Sequence, residues 1–310
     1  MTASTTKTRI DGEYELRGPK QQTFGRRLLQ NLPLAPSIVL FVVFLLGPIV
    51  YSFYGAFTDT RLSGPKAVNP NFIGFANYSA LFTDPQFYKS ILITLAFVIF
   101  SAVIGQNIMG MSLAVMLQKA PRAIKNPVQG VVIMAWMLPE IVAAFAAYAF
   151  FSDNGTLNAT LGFFGIEPTS WLFQYPVVAV TLANIWRGTA FSMLIYSAAL
   201  TEIPDEVVEA ATVDGASDRQ TLFQITLPML KGSIFTNTLL VTLQTLGVFT
   251  LIWVMTAGGP GSDSTTLPIL AYQEAFKASM VGMGTAVSSV LLVMGAILSI
   301  IYIKVLKPGD

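Results

Sequence analysis

Six stretches of predominantly apolar residues constrain this sequence most, because each reaches the length of about 20 residues that a helix needs to cross a bilayer. The stretches cover residues 32–57, 88–117, 128–151, 176–200, 233–256 and 281–305. The composition agrees: 53% of the residues are apolar and 11% are charged, against about 25% charged in an average soluble domain. The sequence therefore predicts an all-α membrane protein with six transmembrane helices.

The residues before the first apolar stretch are polar and rich in lysine and arginine. We expect a basic tail over residues 1–31, loosely ordered against anionic lipid, followed by a membrane domain over residues 32–306. The first stretch is longer than the apolar region of a signal peptide, which has about 7–15 residues, and no small-residue cleavage site follows it. It is therefore expected to be retained as a membrane anchor.

Lysine and arginine predict the orientation, because they are enriched in loops on the cytoplasmic side of a membrane. The tail, the 119–127 loop, the 201–232 loop and the C-terminus hold most of these residues. The opposite loops hold only Arg61, Lys66, Lys89 and Lys277. We therefore predict that both termini are cytoplasmic, in agreement with an even number of spans.

Several functional classes are excluded or disfavoured by residues that the sequence lacks. It has no cysteine and no histidine, which removes disulfides, thiolate nucleophiles, the usual zinc ligands and imidazole catalysis. We expect no metal site. The 18 basic and 17 acidic side chains nearly cancel, so nucleic acid is not an expected partner. No Gly-x-x-x-x-Gly-Lys-Ser/Thr sequence occurs, so this chain has no P-loop for ATP phosphates. Carboxylate chemistry stays open, but an enzyme is disfavoured.

The 201–232 loop departs from the charge pattern, because its acids outnumber its bases. Pro204 followed by acidic residues is a helix-start signal, and Gly215 is a stop signal. We predict a short helix, a glycine turn and a second helix that runs toward Pro228. Anionic lipid would repel an acidic cytoplasmic loop, which favours a protein partner over a loop that is merely solvated.

This loop carries a spaced motif: Glu209-Ala210-Ala211, three residues, Gly215, nine residues, then Ile225-x-Leu227-Pro228. The motif resembles the cytoplasmic loop of binding-protein-dependent ABC importer permeases. Three other stretches resemble the carbohydrate, or maltose-type, branch in the same order along the chain. They are residues 36–57, residues 72–78 (FIGFANY) and residues 256–261 (TAGGPG). The resemblance covers about residues 30–306 and implies a type I ABC importer permease fold with a cytoplasmic coupling helix.

The resemblance also implies a function and a set of partners. The chain would be the transmembrane subunit of an ATP-driven importer that takes a mono- or oligosaccharide from an extracytoplasmic binding protein and moves it into the cytoplasm by alternating access. A second permease, favoured to be a different chain, and two ATPase subunits would complete the complex. ATP and Mg would be bound by the ATPase subunits, with no cofactor in this chain. The expected location is the bacterial or archaeal cytoplasmic membrane.

In the family, the loop helix sits in a groove of the ATPase and moves with it when the ATPase dimer closes. The resemblance therefore implies that this chain is coupled to ATP hydrolysis through the helix and its glycine turn. The coupling residues that carry over are Glu209, Ala210, Ala211, Asp214 and Gly215.

Two charged residues, Glu140 and Arg187, lie near the middle of predicted spans, where charge is costly and usually faces a cavity or a partner. Two interpretations are open. The residues form a buried ion pair between the third and fourth spans, or they line the substrate path and bind substrate hydroxyl groups.

The stretch Asn184-x-Trp186-Arg187-Gly188-x-x-Phe191 resembles the sugar-contacting stretch of the maltose-type permease. The same offset from the motif glutamate places Gln244, Thr245 and Val248 on the family's contact positions in the fifth span. Arg187 stands where the maltose-type pattern is apolar, and Val248 stands where it has an amide. The sugar therefore cannot be assigned from the maltose-type permease. Arg187 indicates an acidic or heavily hydroxylated ligand, or only a pairing with Glu140.

Three alternative functions are open for this sequence. The same family includes permeases for non-sugar polar solutes, such as a glycerol-phosphate-type or polyol substrate. Asp214-Gly215-x-x-Asp218 resembles a fragment of the metal-binding signature of membrane phosphotransferases, although no second set of paired aspartates stands near it. A passive channel or secondary transporter would leave the loop motif unexplained.

Gly105 and Gly110 are interpreted as helix-packing positions.

Overall fold

The computed structural model describes residues 34–305, and its regular structure over that range is helical, with one isolated β-bridge between Thr58 and Phe72. The chain divides into two compact units, residues 1–50 and residues 51–310. The predicted basic tail and its boundary at residue 32 lie outside the described residues. The described part of the first unit is apolar helix, and the second unit carries the remaining helices.

Fifteen helices are numbered here in chain order over the described residues. They are α1 (Ala35–Gly55), α2 (Pro65–Val68), α3 (Ala76–Thr83), α4 (Pro85–Gln118), α5 (Arg122–Met137), α6 (Glu140–Phe151), α7 (Thr156–Phe163), α8 (Trp171–Gln174), α9 (Pro176–Thr201), α10 (Asp205–Val213), α11 (218–229), α12 (Lys231–Leu246), α13 (Thr250–Thr256), α14 (Leu267–Tyr272) and α15 (Val281–Val305). π-helical segments occur within α1, α4 and α11 and directly after α14, at Val42–Leu46, Val98–Gln106, Thr221–Thr226 and Gln273–Lys277.

Four of these helices, α1, α4, α9 and α15, are each long and apolar enough to cross a membrane. Two further candidates are bent pairs: Arg122–Met137 with Glu140–Phe163 at 106°, and Lys231–Leu246 with Thr250–Thr256 at 50°. The described residues therefore provide six spans if each bent pair is one span. This agrees with the predicted all-helical class, although the third and fifth predicted spans are each divided into two helices.

The break in the third span lies at Leu138 and Pro139. Proline has no N–H to donate to the preceding turn, and it disfavours helical dihedral angles at the residue before it. Both residues are accordingly extended, with ψ of 138° and 139°. Glu140 is therefore the first residue of α6 and lies at the bend of the third candidate span, near the middle of that span.

Helices α4 and α9 pack in close contact, because glycines on α4 face α9. A Cβ built on Gly110 would lie 2.4 Å from Ser192 Cβ and 2.9 Å from the Met193 backbone nitrogen. One built on Gly105 would lie 2.3 Å from Ile185 Cδ1. Small residues let helix backbones approach one another in membranes. The interpretation of both glycines as packing positions is confirmed.

A buried polar cluster joins α12 to this pair of helices. The side-chain nitrogen of Asn237 lies 3.0 Å from Asn107 Oδ1, 3.0 Å from Ser192 Oγ and 3.1 Å from Tyr196 Oη. Thr238 donates its hydroxyl hydrogen to Asn107 or to the backbone of its own helix, at 3.1 Å and 2.7 Å. Buried polar groups are costly unless they are paired, so this cluster fixes how α4, α9 and α12 meet.

In the second unit, side-chain hydrogen bonds hold the loops that lie at the same end as the N-terminus of α4. Asn77, within the FIGFANY stretch, donates from its side-chain nitrogen to the carbonyls of Ala56 and Thr58 at 2.8 Å and 2.9 Å. After α13, the hydroxyl of Thr265 donates to the Gly258 carbonyl at 2.9 Å, and Gly258 has a φ of 90° that favours glycine. Residues 257–261 are therefore a tight turn that ends α13.

Candidate functional site

A polar cavity of about 120 Å³ lies where α4, α9 and α12 meet the break between α5 and α6. All the predicted substrate-path residues line it except Phe191. The lining residues are Gln106, Trp136, Glu140, Asn184, Arg187, Gly188, Gln244, Thr245, Gly247 and Val248. Residues that are far apart in the sequence are thus gathered around one small space.

Phe191 contributes to this region indirectly. Its ring packs against the ring of Trp136, with centroids 5.9 Å apart and planes inclined by 34°. Trp136 itself lines the cavity. Phe191 therefore supports the aromatic wall of the cavity from behind, instead of forming the wall.

Gln106 is a lining residue that the sequence reasoning missed. It is only 3% exposed, and its side-chain nitrogen donates to the Asn184 carbonyl at 3.2 Å. It lies against Gly188, where a Cβ would be 2.2 Å from Gln106 Cδ. Glycine at 188 therefore makes room for this amide. A glutamine inside an otherwise apolar span is a signal that could have identified it.

The other two amide residues of the cavity, Asn184 and Gln244, differ in whether their side chains form hydrogen bonds within the chain. Asn184 is 4% exposed and donates to Ser101 Oγ at 2.9 Å, with Thr245 Oγ1 at 3.4 Å. Its amide hydrogens therefore connect α4, α9 and α12. Gln244, by contrast, is exposed in the isolated chain. An amide at that position has donors and an acceptor available to a ligand.

Glu140 and Arg187 both line the cavity but do not pair with each other. The ion pairs between residues of the described range join Lys66 to Asp59, Lys89 to Asp263 and Lys119 to Asp218. Within the same range, Arg187 Nε is buried and has no hydrogen-bond partner. The interpretation of the two residues as a buried ion pair is therefore wrong for this structure.

The predicted loop helix is present as α10, and its ends follow from local chemistry. Asp205 and Glu206 occupy its first turn, where acidic side chains favour the helix dipole. At its C-terminus the Ala216 N–H donates to the Ala211 carbonyl at 2.9 Å and the Gly215 N–H donates to the Thr212 carbonyl at 3.1 Å. This is a Schellman motif, and Gly215 takes the left-handed position with φ of 82°. Gly215 is confirmed as the stop.

Most predicted coupling residues lie on the exposed surface of α10 and its turn. Glu209, Ala210, Asp214 and Gly215 are exposed, and Val213 beside them is 87% exposed. Ala211 differs, because it is 7% exposed and packs inside the chain. Its side chain is therefore suited to seating the helix rather than to contacting a partner.

Asp214 and Asp218 have local structural explanations. Asp214 follows the last residue of α10, and Asp218 lies 2.8 Å from Lys119 Nζ at an exposed position. Ser217 and Gln220 form a capping box that begins α11. No group of three or more acidic side chains that could hold a metal ion occurs between residues 34 and 305. The described structure gives the phosphotransferase alternative no support.

Sequence comparison identifies the family to which this scaffold belongs. Residues 106–307 match the family described as the binding-protein-dependent transport system inner membrane component. The chain belongs to this family. The match includes α10, its glycine turn and all the cavity residues, so the resemblance based on the loop motif is confirmed.

Individual relatives extend the likeness over nearly the whole chain. The sulfoquinovosyl glycerol transport system permease protein SmoG of Agrobacterium fabrum is 32% identical, covering 98% of this chain and 99% of the relative. The trehalose/maltose transport system permease protein MalF of Thermococcus litoralis is 30% identical, covering 89% and 93%. Both are named as permeases of sugar transport systems, which confirms the resemblance to the carbohydrate branch.

The fold also matches solved structures. A chain of a bacterial ABC transporter involved in the import of the acidic polysaccharide alginate superposes with a TM-score of 0.77 at 24% identity, covering 91% of this chain and 96% of that chain. At this identity the likeness shows the fold alone. The chain therefore has the fold of an ABC importer permease.

Proposed function

We propose that this chain is the transmembrane permease of an ATP-driven importer that moves a sugar into the cytoplasm. The observation that carries the proposal is the polar cavity, because the predicted sugar-contacting residues from separate helices gather there. Relatives that match this chain over most of its length are named as permeases for sugars. Their sugars differ, so they support a substrate class without selecting one member.

The cavity suits part of a sugar-binding site. Its volume of about 120 Å³ is below the range of about 300–1,000 Å³ that is common for small-molecule sites. In the proposal, the exposed side of Gln244 opens toward the second permease, which supplies the other wall. Amide groups then bind sugar hydroxyl groups, while the ring of Trp136, supported by Phe191, covers the apolar face of a pyranose.

Energy for transport comes from partner subunits in this proposal. The sequence contains no P-loop, so ATP and Mg are bound by two ATPase subunits. The exposed face of α10, with Glu209, Ala210 and Val213, docks on an ATPase. Closure of the ATPase dimer moves α10, the cavity opens outward to receive sugar from a binding protein, and hydrolysis returns it to the inward-facing state.

The proposal places the protein in the cytoplasmic membrane of a bacterium or archaeon. Both termini and α10 lie on the cytoplasmic side, and the FIGFANY stretch and the 257–261 turn lie on the opposite side. Because the chain contains no cysteine, single cysteines introduced at Glu209 and Phe75, both exposed, test this arrangement. An impermeant thiol reagent added outside cells should label only the variant at Phe75.

The cavity assignment predicts specific transport defects. Gln244→Ala removes an exposed amide, and we expect uptake at low sugar concentration to fall about tenfold, the effect of losing one or two hydrogen bonds to the sugar. Phe191→Ala removes the ring behind Trp136 and should also reduce uptake. Gln174→Ala, at an exposed glutamine outside the cavity, is the matched control. Unchanged uptake kinetics in Gln244→Ala, with the complex assembled, would remove this residue from the site.

A further inference from the structure

We infer that Arg187 selects saccharides that carry an anionic group, such as a carboxylate or a phosphate. This inference rests on the proposed function, since it names the substrate class for the same cavity. It depends on three observations: the position of Arg187, the absence of a fixed partner for its Nε among the described residues, and the engagement of the neighbouring polar groups with one another.

Arg187 lies well inside α9, a helix that is long and apolar enough to span a membrane. A charge at such a depth is costly and requires a compensating partner or an aqueous cavity. Arg187 lines the polar cavity, and within residues 34–305 its buried Nε has no acceptor. A guanidinium also has a planar set of donors that matches the two oxygens of a carboxylate or phosphate. The cavity thus contains an anion-binding group without a fixed anion.

Glu140 does not fill this role, although it lines the same cavity. The two side chains form no ion pair. Glu140 is the first residue of α6 and lies in its first turn, where the positive end of the helix dipole stabilises a carboxylate. Glu140 therefore has a favourable interaction within its own helix, whereas Arg187 forms no ion pair with the described residues.

Two neutral amide residues of the same cavity wall donate hydrogen bonds within the chain, and a neutral amide supplies no counter-charge to Arg187. The amide of Gln106 donates to the Asn184 carbonyl, and the amide of Asn184 donates to Ser101 and Thr245. These bonds hold the cavity wall in place. The counter-charge for Arg187 is therefore expected to enter with the ligand.

The presence of Glu140 restricts which anions fit. An anion without a hydrogen to donate, such as chloride or sulfate, can bind Arg187 but leaves the carboxylate oxygens of Glu140 without a donor. A saccharide with one anionic group places that group on Arg187 and donates hydroxyl hydrogens to Glu140 and Gln244. A neutral sugar leaves the guanidinium desolvated without a counter-charge. The site therefore matches a sugar acid or a sugar phosphate.

The test measures ligand binding to the detergent-purified complex of this chain with its partner subunits. The probes are two carboxylated sugars, glucuronate and galacturonate, one phosphorylated sugar, glucose 6-phosphate, and the neutral sugars glucose, galactose and maltose. Trp136 lines the cavity, so its fluorescence reports occupancy, and subtraction of the signal from Trp136→Phe isolates it from other tryptophans. The carboxylated and phosphorylated probes show which anionic group the site accepts.

We expect at least one acidic probe to bind about tenfold or more tightly than its neutral counterpart. Arg187→Gln should remove that difference, and Arg187→Lys should retain part of it, because lysine keeps the charge but loses the paired donors. Glu140→Gln should preserve the preference for the acidic probe. Arg61→Gln, at an exposed arginine outside the cavity, should behave as the unsubstituted complex.

Three results would overturn the inference. Equal or tighter binding of neutral sugars by the unsubstituted complex is the first, and failure of every acidic probe to bind is the second. The third is loss of the partner subunits from Arg187→Gln, which would assign the residue to a subunit interface. The proposed function is tested separately, by ATP-dependent uptake of the same probes into proteoliposomes. Uptake of neutral sugars alone would support the proposed function and contradict the inference about Arg187.

Discussion

Replacing Glu209 with lysine and Gly215 with valine is expected to abolish ATP-driven uptake while leaving the permease folded in the membrane. Glu209 is exposed on α10, so lysine reverses a charge on the proposed docking face with little effect on folding. Gly215 has a φ of 82° with open space around it. Valine is strained there by about 1–2 kcal/mol or more, which distorts the Schellman motif and the end of α10. The measurement is uptake by the reconstituted complex.

Matched controls separate coupling from general damage. Glu202→Lys reverses another exposed charge in the same loop, outside the motif. Gly165→Val introduces the same strain at another exposed glycine, with φ of 77° and open space. The double control should retain uptake. Normal uptake in the Glu209 and Gly215 double variant, with equal amounts of protein in the membrane, would contradict a coupling role for α10.

Gly110→Leu is expected to lower the stability of the folded protein strongly, because α4 and α9 leave no room for a side chain at this position. A Cβ would lie 2.4 Å from Ser192 Cβ, 2.9 Å from the Met193 nitrogen and 3.0 Å from the Ser192 carbonyl carbon. Two of these are backbone atoms, so no rotamer change relieves the contact. Overpacking of this kind costs about 1–3 kcal/mol and occasionally more, and leucine adds further atoms beyond Cβ.

Thermal unfolding of the detergent-purified protein measures this effect. Gly130→Leu provides the control, since Gly130 lies in helix α5 and no neighbouring atom lies within 4 Å of the position that a Cβ would take there. The control should unfold near the temperature of the unsubstituted protein, and Gly110→Leu should unfold many degrees lower or fail to accumulate. Equal unfolding temperatures for the two variants would show that the α4–α9 contact is not as close as described.

The sequence was sufficient to predict the features that depend on local patterns. Apolar length predicts the spans, since five of the six candidates begin and end within three residues of their predicted positions, whereas the third, from Arg122 to Phe163, extends beyond its predicted range at both ends. Proline, acidic residues and glycine at fixed spacing predict α10, and Gly215 has the left-handed conformation that a helix stop requires. Pro139 also carried a signal for the break before α6, because proline disfavours helical dihedral angles at the residue before it, although Pro127 lies inside α5 without ending that helix.

Features that depend on tertiary packing could not be predicted in the same way. Ala210 and Ala211 have the same side chain, yet Ala210 is exposed and Ala211 is 7% exposed, because only one faces the chain's own core. Glu140 and Arg187 have opposite charges in neighbouring spans and line one cavity, yet they form no ion pair. The cavity residues from α9 and α12 were found through resemblance to a known family, whereas Trp136 gave no local signal.

The central claim is that this chain works as one subunit of an ATP-driven import complex. Purification of the tagged chain from its native membrane in mild detergent, with the co-purifying proteins identified and counted by mass spectrometry, tests it most directly. We expect one copy of this chain, one copy of a second permease and two copies of an ATPase that contains a P-loop. Recovery of this chain alone, under conditions that keep a known importer intact, would contradict the claim.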